Sequence, residues 1–174
     1  MVFAFWILVS LARTVFLSPF MVEGDSMLPT IHNGAIFMVD KISYKYGDPQ
    51  RDDIIVFTLR EDPSFFYVKR VIGLPGDNIH LDSDGVYLVD AFTNKRTKLA
   101  EPYVFPEKYQ PAQFLSTTNE LGQDFTVPAG KYFVLGDNRQ HSKDSRYFYN
   151  PFIPREQIVG KYGITLYDPH DETL

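Results

Sequence analysis

The 174-residue chain contains no cysteine, which excludes several kinds of site. Without a thiol there is no disulfide framework, no cysteine nucleophile and no zinc or iron–sulfur centre bound through cysteine. An excess of basic residues is also missing, because 17 lysines and arginines stand against 22 aspartates and glutamates. The resulting net charge of −5 argues against a nucleic-acid-binding protein, which usually presents a basic surface to phosphate groups.

What the sequence does contain is typical of a β-rich domain. Aromatic residues make up 16% of the chain, and 12 prolines and 11 glycines accompany them. Aromatic residues favour strands, whereas proline and glycine favour turns. Because the length suits one domain with its own core, the composition predicts a mainly β fold rather than a helical bundle.

Seven short apolar runs bounded by turn residues predict the strands of this fold. They are residues 20–22, 35–39, 54–57, 66–72, 85–89, 131–135 and 160–166. Helix signals are few, and we expect single helical turns near residues 26–30 and 154–158. The segment 79–126 is more polar and contains prolines, so we expect it to form a small β-rich insertion. The core would then comprise residues 19–78 and 127–174.

The first 22 residues are apolar and carry a single charge, Arg13. A cleavable signal peptide is disfavoured, because there is neither a basic N-terminal region nor a small-residue cleavage site. The uncharged run from Met1 to Ala12 is short for a membrane span, which needs about 20 apolar residues. A buried core helix is the alternative. We expect residues 1–18 to form a helical membrane anchor from which a few N-terminal residues are missing.

Ser26 lies in the turn Gly24-Asp25-Ser26-Met27, directly after the first predicted strand. A serine on a glycine-supported turn can expose its hydroxyl as a nucleophile, and nearby N–H groups can stabilise an oxyanion. The simpler interpretation is a serine that only caps a turn, and it is preferred unless a base lies nearby.

Histidine is one candidate for that base. All four histidines have polar neighbours, which is typical of surface positions. Only His141 has neighbours that could form an active site with it, because it lies in the polar run 136–146 after the strand 131–135. An ordinary solvated loop is the alternative interpretation of this run.

Lys69 is the other candidate base. Strand alternation over residues 65–72 places it on an apolar face with Tyr67 and Val71. Burial there would lower its pKa from about 10.4 to about 8, which disfavours the charged form by roughly 3 kcal/mol. The neutral amine could then accept the serine proton. A lysine whose amine reaches solvent from an edge strand is the alternative.

Four blocks of sequence together resemble bacterial type I signal peptidase. They are EGDSMLPT at 23–30, RDDIIVF at 51–57, YVKRVIGLPGD at 67–77, and LGDNR at 135–139 with SKDSR at 142–146. The blocks occur in the family's order and cover the chain from the anchor to about residue 161. Gly24 stands where some members have a hydroxyl residue, which makes the chain similar to the shorter Gram-positive enzymes.

The resemblance implies a signal-peptidase-like β-sheet or barrel core with a Ser26/Lys69 dyad. Ser26 would be the nucleophile of an acyl-enzyme mechanism, and Lys69 would be the general base. The residues expected to support this dyad are Ser142, Asp144, Arg146, Asp137 and Arg70. Ser142 would orient the lysine amine, while Asp144 would pair with Arg146 and Asp137 with Arg70 to brace the loop.

The same resemblance implies shallow pockets for small residues at positions −3 and −1 of a signal peptide. The residues expected to line them are Phe20, Val22, Met27, Ile31, Tyr67 and Val68. An extended peptide would lie beside residues 20–24 and 67–69, so that alternate side chains point into the protein.

The implied partners are the signal peptides of secretory preproteins and membrane lipid, with no nucleic acid. The implied protein is a monomer that crosses the bacterial plasma membrane once and carries its catalytic domain on the extracytoplasmic side. The resemblance implies no cofactor and no metal.

Two other functions remain open. A Ser-His-Asp hydrolase would use Ser26 with His141 and either Asp137 or Asp144. A membrane-tethered β domain could instead bind extended peptides without cleaving them. Substitution of Lys69 and of His141 would distinguish the hydrolase from the dyad, and binding of signal peptides without turnover would indicate the peptide-binding domain.

Overall fold

The computed structural model describes residues 17–82, 84–104 and 122–170, and its strands form two antiparallel sheets. The strands of the larger sheet are β1 (Leu17–Met21), β2 (Ile36–Asp40), β3 (Ile54–Leu59), β4 (Asp62–Gly73), β9 (Lys131–Leu135), β10 (Phe152–Pro154) and β11 (Ile158–Tyr167). Those of the smaller sheet are β5 (Asn78–Asp82), β6 (Gly85–Val89), β7 (Arg96–Lys98) and β8 (Gln123–Thr126). The spatial orders are β1–β2–β11–β3–β4–β9–β10 and β7–β6–β5–β8.

Helices are short, as the composition predicts. The described residues contain one α-helical turn, α1 (Ser43–Tyr46), and one 3₁₀ turn over Arg155–Gln157. The second of these lies at the helical turn expected near residues 154–158. Residues 26–30 form hydrogen-bonded turns instead of a helix. The fold class is therefore mainly β.

Each of the seven predicted strand runs overlaps an observed strand, whereas β5, β7, β8 and β10 were not expected. The unexpected strands are only three to five residues long, and β7 consists of three exposed polar residues. Their neighbours in the sheet, rather than their own residue types, determine their conformation. The two strands at the ends of the larger sheet each contain a proline, Pro19 and Pro154, which lacks the N–H needed inside a sheet.

The predicted membrane helix lies outside the described residues, except for residues 17 and 18, which belong to β1. In the parts of the chain that the structure describes, no helix has the length and hydropathy to cross a membrane.

Three clusters of buried side chains form the core. One lies mainly against β3, β4 and β9 and includes Phe57 and Val134. The second packs the segment between β1 and β2 onto the sheet, and its Met27 and Ile31 are only 1% exposed. Full burial of such a side chain stabilises the fold by about 1.5–3 kcal/mol, so the turn that carries Ser26 is firmly attached to the core.

The third cluster joins the two sheets, and Gly73 at the end of β4 makes this contact possible. A methyl group at Gly73 would lie 2.9 Å from Val127 Cγ2 and 3.0 Å from Phe133 Cβ, and would overlap with the Ile79 side chain. Only glycine leaves room for these three side chains.

We therefore expect Gly73→Ala to lower the free energy of unfolding by about 1–3 kcal/mol through overpacking. Urea denaturation followed by circular dichroism measures this change. Gly47→Ala is the matched control, because Gly47 has φ −145° and ψ 174°, and its added methyl group would meet only Ser43 O at 3.4 Å. The control should stay within about 0.5 kcal/mol of wild type. An equal loss of stability in the two variants would contradict the tight packing of the two sheets at Gly73.

Candidate active site

The structure brings Ser26 and Lys69 together, although they are 43 residues apart in the sequence. Lys69 lies in β4, and its Nζ is 2.7 Å from Ser26 Oγ. The same Nζ is 2.8 Å from the backbone oxygen of Val68. Since the Lys69 side chain is buried at 4% exposure, the pair forms a contact between a hydroxyl and an amine that is shielded from water.

Burial lowers the pKa of Lys69 to about 8, because the charged amine loses its hydration. The negative charges of Asp144 and Asp137 oppose this shift, and the positive charge of Arg146 adds to it. A substantial fraction of the amine is thus neutral near pH 8. A neutral amine within hydrogen-bond distance of a serine hydroxyl can accept its proton.

The turn that carries Ser26 is held from two sides. On one side, Gly24 adopts φ +93°, and its N–H donates to Asn33 Oδ1 at 3.0 Å. On the other side, the Asn138 N–H donates to Ser26 O at 3.1 Å, and Asn138 Nδ2 donates to Asp25 O at 3.0 Å. The position of the serine therefore depends on the loop that contains Asn138.

That loop, residues 136–146, follows β9 and is called the active-site loop below. Its Asp137 forms a two-pronged pair with Arg70 of β4, in which Nε and Nη2 lie 2.8 and 2.6 Å from the carboxylate oxygens. Thr30 Oγ1 also donates to Asp137. Both charged side chains are almost entirely buried, so the loss of either partner would leave an uncompensated charge and cost about 3–5 kcal/mol.

A second buried pair braces the interior of the active-site loop. Arg146 Nε and Nη2 each lie 2.8 Å from an oxygen of Asp144, and Gly136 N–H donates to the same carboxylate at 3.0 Å. Burial alone would raise the pKa of Asp144, but the charge of Arg146 and these hydrogen bonds keep it below its ordinary value. Asp144 is thus ionised at neutral pH and holds both ends of the loop.

Ser142 differs from what the resemblance implies. Its side chain is buried, and its hydroxyl lies beside the Asp144 carboxylate, whose pKa it helps to lower, although Oγ forms no hydrogen bond of ordinary geometry with a described residue. No hydrogen bond between Ser142 and Lys69 is found among the described residues. The Lys69 amine is instead satisfied by Ser26 Oγ and Val68 O. The hydroxyl lies against Gly136, where a side chain would overlap with it.

The alternative base is not placed for catalysis. The His141 side chain is exposed, and within the described residues no contact joins it to Ser26, Asp137 or Asp144. The described ranges also contain no group of three His, Asp or Glu side chains that could hold a metal ion.

Five of the six expected substrate-binding residues share one apolar cluster beside Ser26. Val22, Met27 and Ile31 are buried in it, and Phe20 and Val68 pack against it. Tyr67 lies instead on the opposite face of β4, where it packs against the first cluster. Strand alternation explains this separation, because neighbouring residues of a strand point to opposite faces.

Sequence reasoning missed two residues of this region. Phe66 lies in β4, and its ring meets that of Phe20 edge-on, with centroids 5.0 Å apart. The signal was its position two residues before Val68, which puts both side chains on one face. Asn138 was missed because its role is to hold backbone oxygens, and a polar loop gives no sign of such a role.

β4 offers an open edge beside Ser26. Along one side it pairs with β3 between Asp62 and Arg70, whereas on the other side it pairs with β9 only from Arg70 onward. In the structure as described, the stretch before Arg70 has no strand partner on that second side. An extended peptide can add to such an edge through main-chain hydrogen bonds.

Comparison with known proteins identifies similar sequences over most of the chain. A family model described as signal peptidase, peptidase S26, matches residues 1–167. Signal peptidase I of Bacillus caldolyticus is 41% identical over 157 residues, which cover 88% of this chain and 81% of that protein. Signal peptidase I T of Bacillus subtilis is 37% identical over 155 residues, covering 88% and 76%.

Signal peptidase I of Pseudomonas fluorescens is 35% identical over 188 residues and is longer, so the chain spans only 66% of it. Among solved structures, a signal peptidase I from Enterococcus faecalis V583 is 36% identical, with a TM-score of 0.49. The match covers 66% of this chain and 97% of that one.

The two serines of the active-site loop give a stability prediction. Ser145 Oγ accepts the Val134 N–H at 2.9 Å, so Ser145→Ala should lower the free energy of unfolding by about 1–3 kcal/mol. Ser142→Ala removes a hydroxyl whose contact with Asp144 lacks ordinary hydrogen-bond geometry, so it should lower the free energy of unfolding by less than about 1 kcal/mol. Urea denaturation of both variants measures the difference. A larger loss for Ser142→Ala than for Ser145→Ala would show that the Ser142 hydroxyl has a strong partner.

Proposed function

Because the chain belongs to the peptidase S26 family of signal peptidases, whose members are serine endopeptidases, we propose that it removes signal peptides from exported preproteins through Ser26 and Lys69. The observation that carries the proposal is the buried contact of 2.7 Å between Lys69 Nζ and Ser26 Oγ. The low pKa of Lys69 supports it, because half of the amine is then neutral near pH 8, and only the neutral amine can act as a general base.

In the acylation step, neutral Lys69 takes the Ser26 proton while Oγ attacks the carbonyl carbon of the −1 residue. Gly24 has no side chain that could donate to the resulting oxyanion, so the Ser26 N–H carries more of this role. The lysine then gives its proton to the departing amine, and the mature protein leaves. The signal peptide remains attached to Ser26 as an ester.

In the deacylation step, Lys69 acts as base a second time. It takes a proton from a water molecule as that water attacks the ester carbonyl. Collapse of the intermediate releases the signal peptide and restores the Ser26 hydroxyl. All proton transfers therefore use one amine, whose protonation state is controlled by burial.

The substrate lies between β1 and the open edge of β4. Its main chain hydrogen-bonds beside residues 20–24 and 67–69, and alternate side chains point toward the apolar cluster of Val22, Met27 and Ile31. Small residues at −1 and −3 fit there because these pockets are shallow. Two ion pairs, Asp144 with Arg146 and Asp137 with Arg70, support the dyad by fixing the active-site loop, in which Ser142 lies beside Asp144.

Residues 17 and 18 belong to β1, so the proposed anchor in the bacterial plasma membrane is the segment 1–16, with the catalytic domain on the extracytoplasmic side. This location fits a substrate whose signal peptide is itself held in the membrane. We infer a monomer, since one chain supplies the nucleophile, the base and the substrate groove.

A cleavage assay with substituted enzymes tests the dyad. With a preprotein that has alanine at −3 and −1, in detergent, wild type and His141→Ala should release the mature chain. Ser26→Ala and Lys69→Met should cut at least about 10³-fold more slowly. Circular dichroism of each variant controls for folding.

Three outcomes would contradict the proposed function in different ways. Cleavage by Lys69→Met at the wild-type rate would show that Lys69 is a structural residue of β4 with no catalytic role. Loss of cleavage in His141→Ala alone would favour the histidine-based hydrolase. Binding of the signal peptide by wild type without cleavage would indicate a peptide-binding domain.

The pH dependence gives an independent prediction. The pKa of Lys69 is about 8, and only the neutral amine accepts a proton, so kcat/KM should rise with pH and level off above a midpoint near 8. At pH 6 the value should be about 50-fold below that at pH 8. The His141→Ala variant should show the same profile. A midpoint near 6.5 that disappears in this variant would assign the titration to histidine instead.

A further inference from the structure

The smaller sheet reaches the active-site loop through two residues that follow β7, Glu101 and Tyr103. Glu101 forms an ion pair with Arg139, in which Arg139 Nη1 lies 3.1 Å from Oε2 and Nη2 also donates to Oε1. Both side chains of this pair are more than nine-tenths buried. A buried arginine with a two-pronged carboxylate partner has a fixed geometry, so Glu101 determines where Arg139 lies.

Arg139 in turn fixes the first part of the active-site loop. Its Nε donates to Gly136 O at 3.0 Å, which closes a tight turn within the loop. Its own carbonyl oxygen accepts a hydrogen bond from Arg146 Nη2 at 2.9 Å, and Arg146 is the partner of Asp144. Arg139 therefore connects the two halves of the loop.

The active-site loop also determines where the nucleophile Ser26 lies. Asn138, the residue next to Arg139, donates its N–H to Ser26 O. At Gly136 the loop lies so close to Ser26 O that a side chain could not be accommodated. A displacement of Arg139 would thus change the position of Ser26 relative to Lys69.

Tyr103 provides a second attachment of the same segment. Its ring lies over the guanidinium group of Arg70, with Cζ 3.9 Å from the ring centroid, and its hydroxyl donates to Asp52 Oδ1 at 3.1 Å. Since Arg70 is the partner of Asp137, the segment contacts both arginines that hold the start of the active-site loop. Glu101 thus contacts the loop itself, and Tyr103 contacts a residue that holds it, in addition to the apolar packing between the sheets.

We propose that Glu101 is a positioning residue of the reaction, which acts through Arg139 to hold the active-site loop and Ser26 in the geometry needed for proton transfer. This inference rests on the proposed function. It assigns to the smaller sheet, which carries Glu101, a role in positioning the active site. Glu101 has no described contact with the substrate-binding cluster, so its removal should slow the chemical step and leave substrate binding intact. A displacement of about 1 Å in an active site can cost about 10²-fold in rate.

The test compares Glu101→Gln with wild type in two measurements. Glutamine keeps the shape of the side chain but removes the negative charge that faces Arg139. We expect kcat to fall about 10-fold or more while KM stays within about 2-fold. Hydrogen exchange of amides in residues 136–146 should become about 10-fold faster, and that of β3, which among the described strands pairs only with β4 and β11, should stay unchanged. The exchange measurement does not depend on cleavage.

The matched control is Asp84→Asn, which removes an exposed ion pair with Lys98 in the same sheet. It should change neither kcat nor the exchange of residues 136–146. Glu101→Asp, which keeps the charge on a shorter side chain, should restore part of kcat. If Glu101→Gln does not fold, Glu101→Asp replaces it as the test variant, and kcat, KM and the hydrogen exchange of residues 136–146 are measured in the same way.

The outcomes separate this inference from the proposed function. Wild-type kcat and wild-type loop exchange in Glu101→Gln, with an active wild type, would overturn the inference alone. Faster exchange throughout the protein, rather than in residues 136–146, would also overturn it, because Glu101 would then be a general stabiliser. An inactive wild type would overturn the proposed function, whereas selective loop exchange in Glu101→Gln would still support the positioning of the loop.

Discussion

The exclusion of water from the Lys69 amine is the constraint on which the rest of the structure depends. Moving its pKa from 10.5 to about 8 means that the fold disfavours the charged amine by roughly 3 kcal/mol. A domain is stable by only about 5–15 kcal/mol, so this is a large local cost. The surrounding core must supply it, and the apolar clusters on both faces of β4 do so while keeping the amine beside Ser26.

The charged residues around the dyad are consistent with that constraint. Each carboxylate near the amine, Asp144 and Asp137, is paired with an arginine. Asp144 and Asp137 raise the pKa of Lys69, whereas Arg146 lowers it. Because each of these carboxylates is paired with an arginine, the net effect of the charged groups on the pKa of Lys69 is smaller than the effect of burial. The packing around the amine therefore mainly determines this pKa.

Sequence patterns predicted the parts of the fold and the site that depend on local chemistry. The apolar face of β4 was visible in the alternation around Lys69, and the expected lowering of its pKa agrees with the value in the structure. The blocks around Ser26, Lys69 and Asp144 indicated the family. Short strands such as β7 could not be predicted, since their own residues have little preference for a sheet.

Contacts between distant segments were the other part that could not be predicted. The pair of Glu101 and Arg139 joins residues 38 positions apart, and no local pattern distinguishes Glu101 from an ordinary surface acid. The position of Ser142 Oγ, beside Asp144 rather than Lys69, could not be predicted either, because it depends on how the loop folds around Gly136. Such contacts depend on how distant segments of the chain come together. A single sequence indicates this arrangement only when it resembles a family of known fold.

The prolines in the two end strands of the larger sheet have a consequence for self-association. A sheet that accepts an extended peptide at one edge is exposed to the same pairing by other copies of itself, which leads to aggregation. Pro19 in β1 and Pro154 in β10 interrupt the row of backbone donors at the two outer edges. The protein thus makes the outer edges poor templates for strand exchange at these two positions, while the end of β1 after Pro19 and the edge of β4 stay open to a peptide.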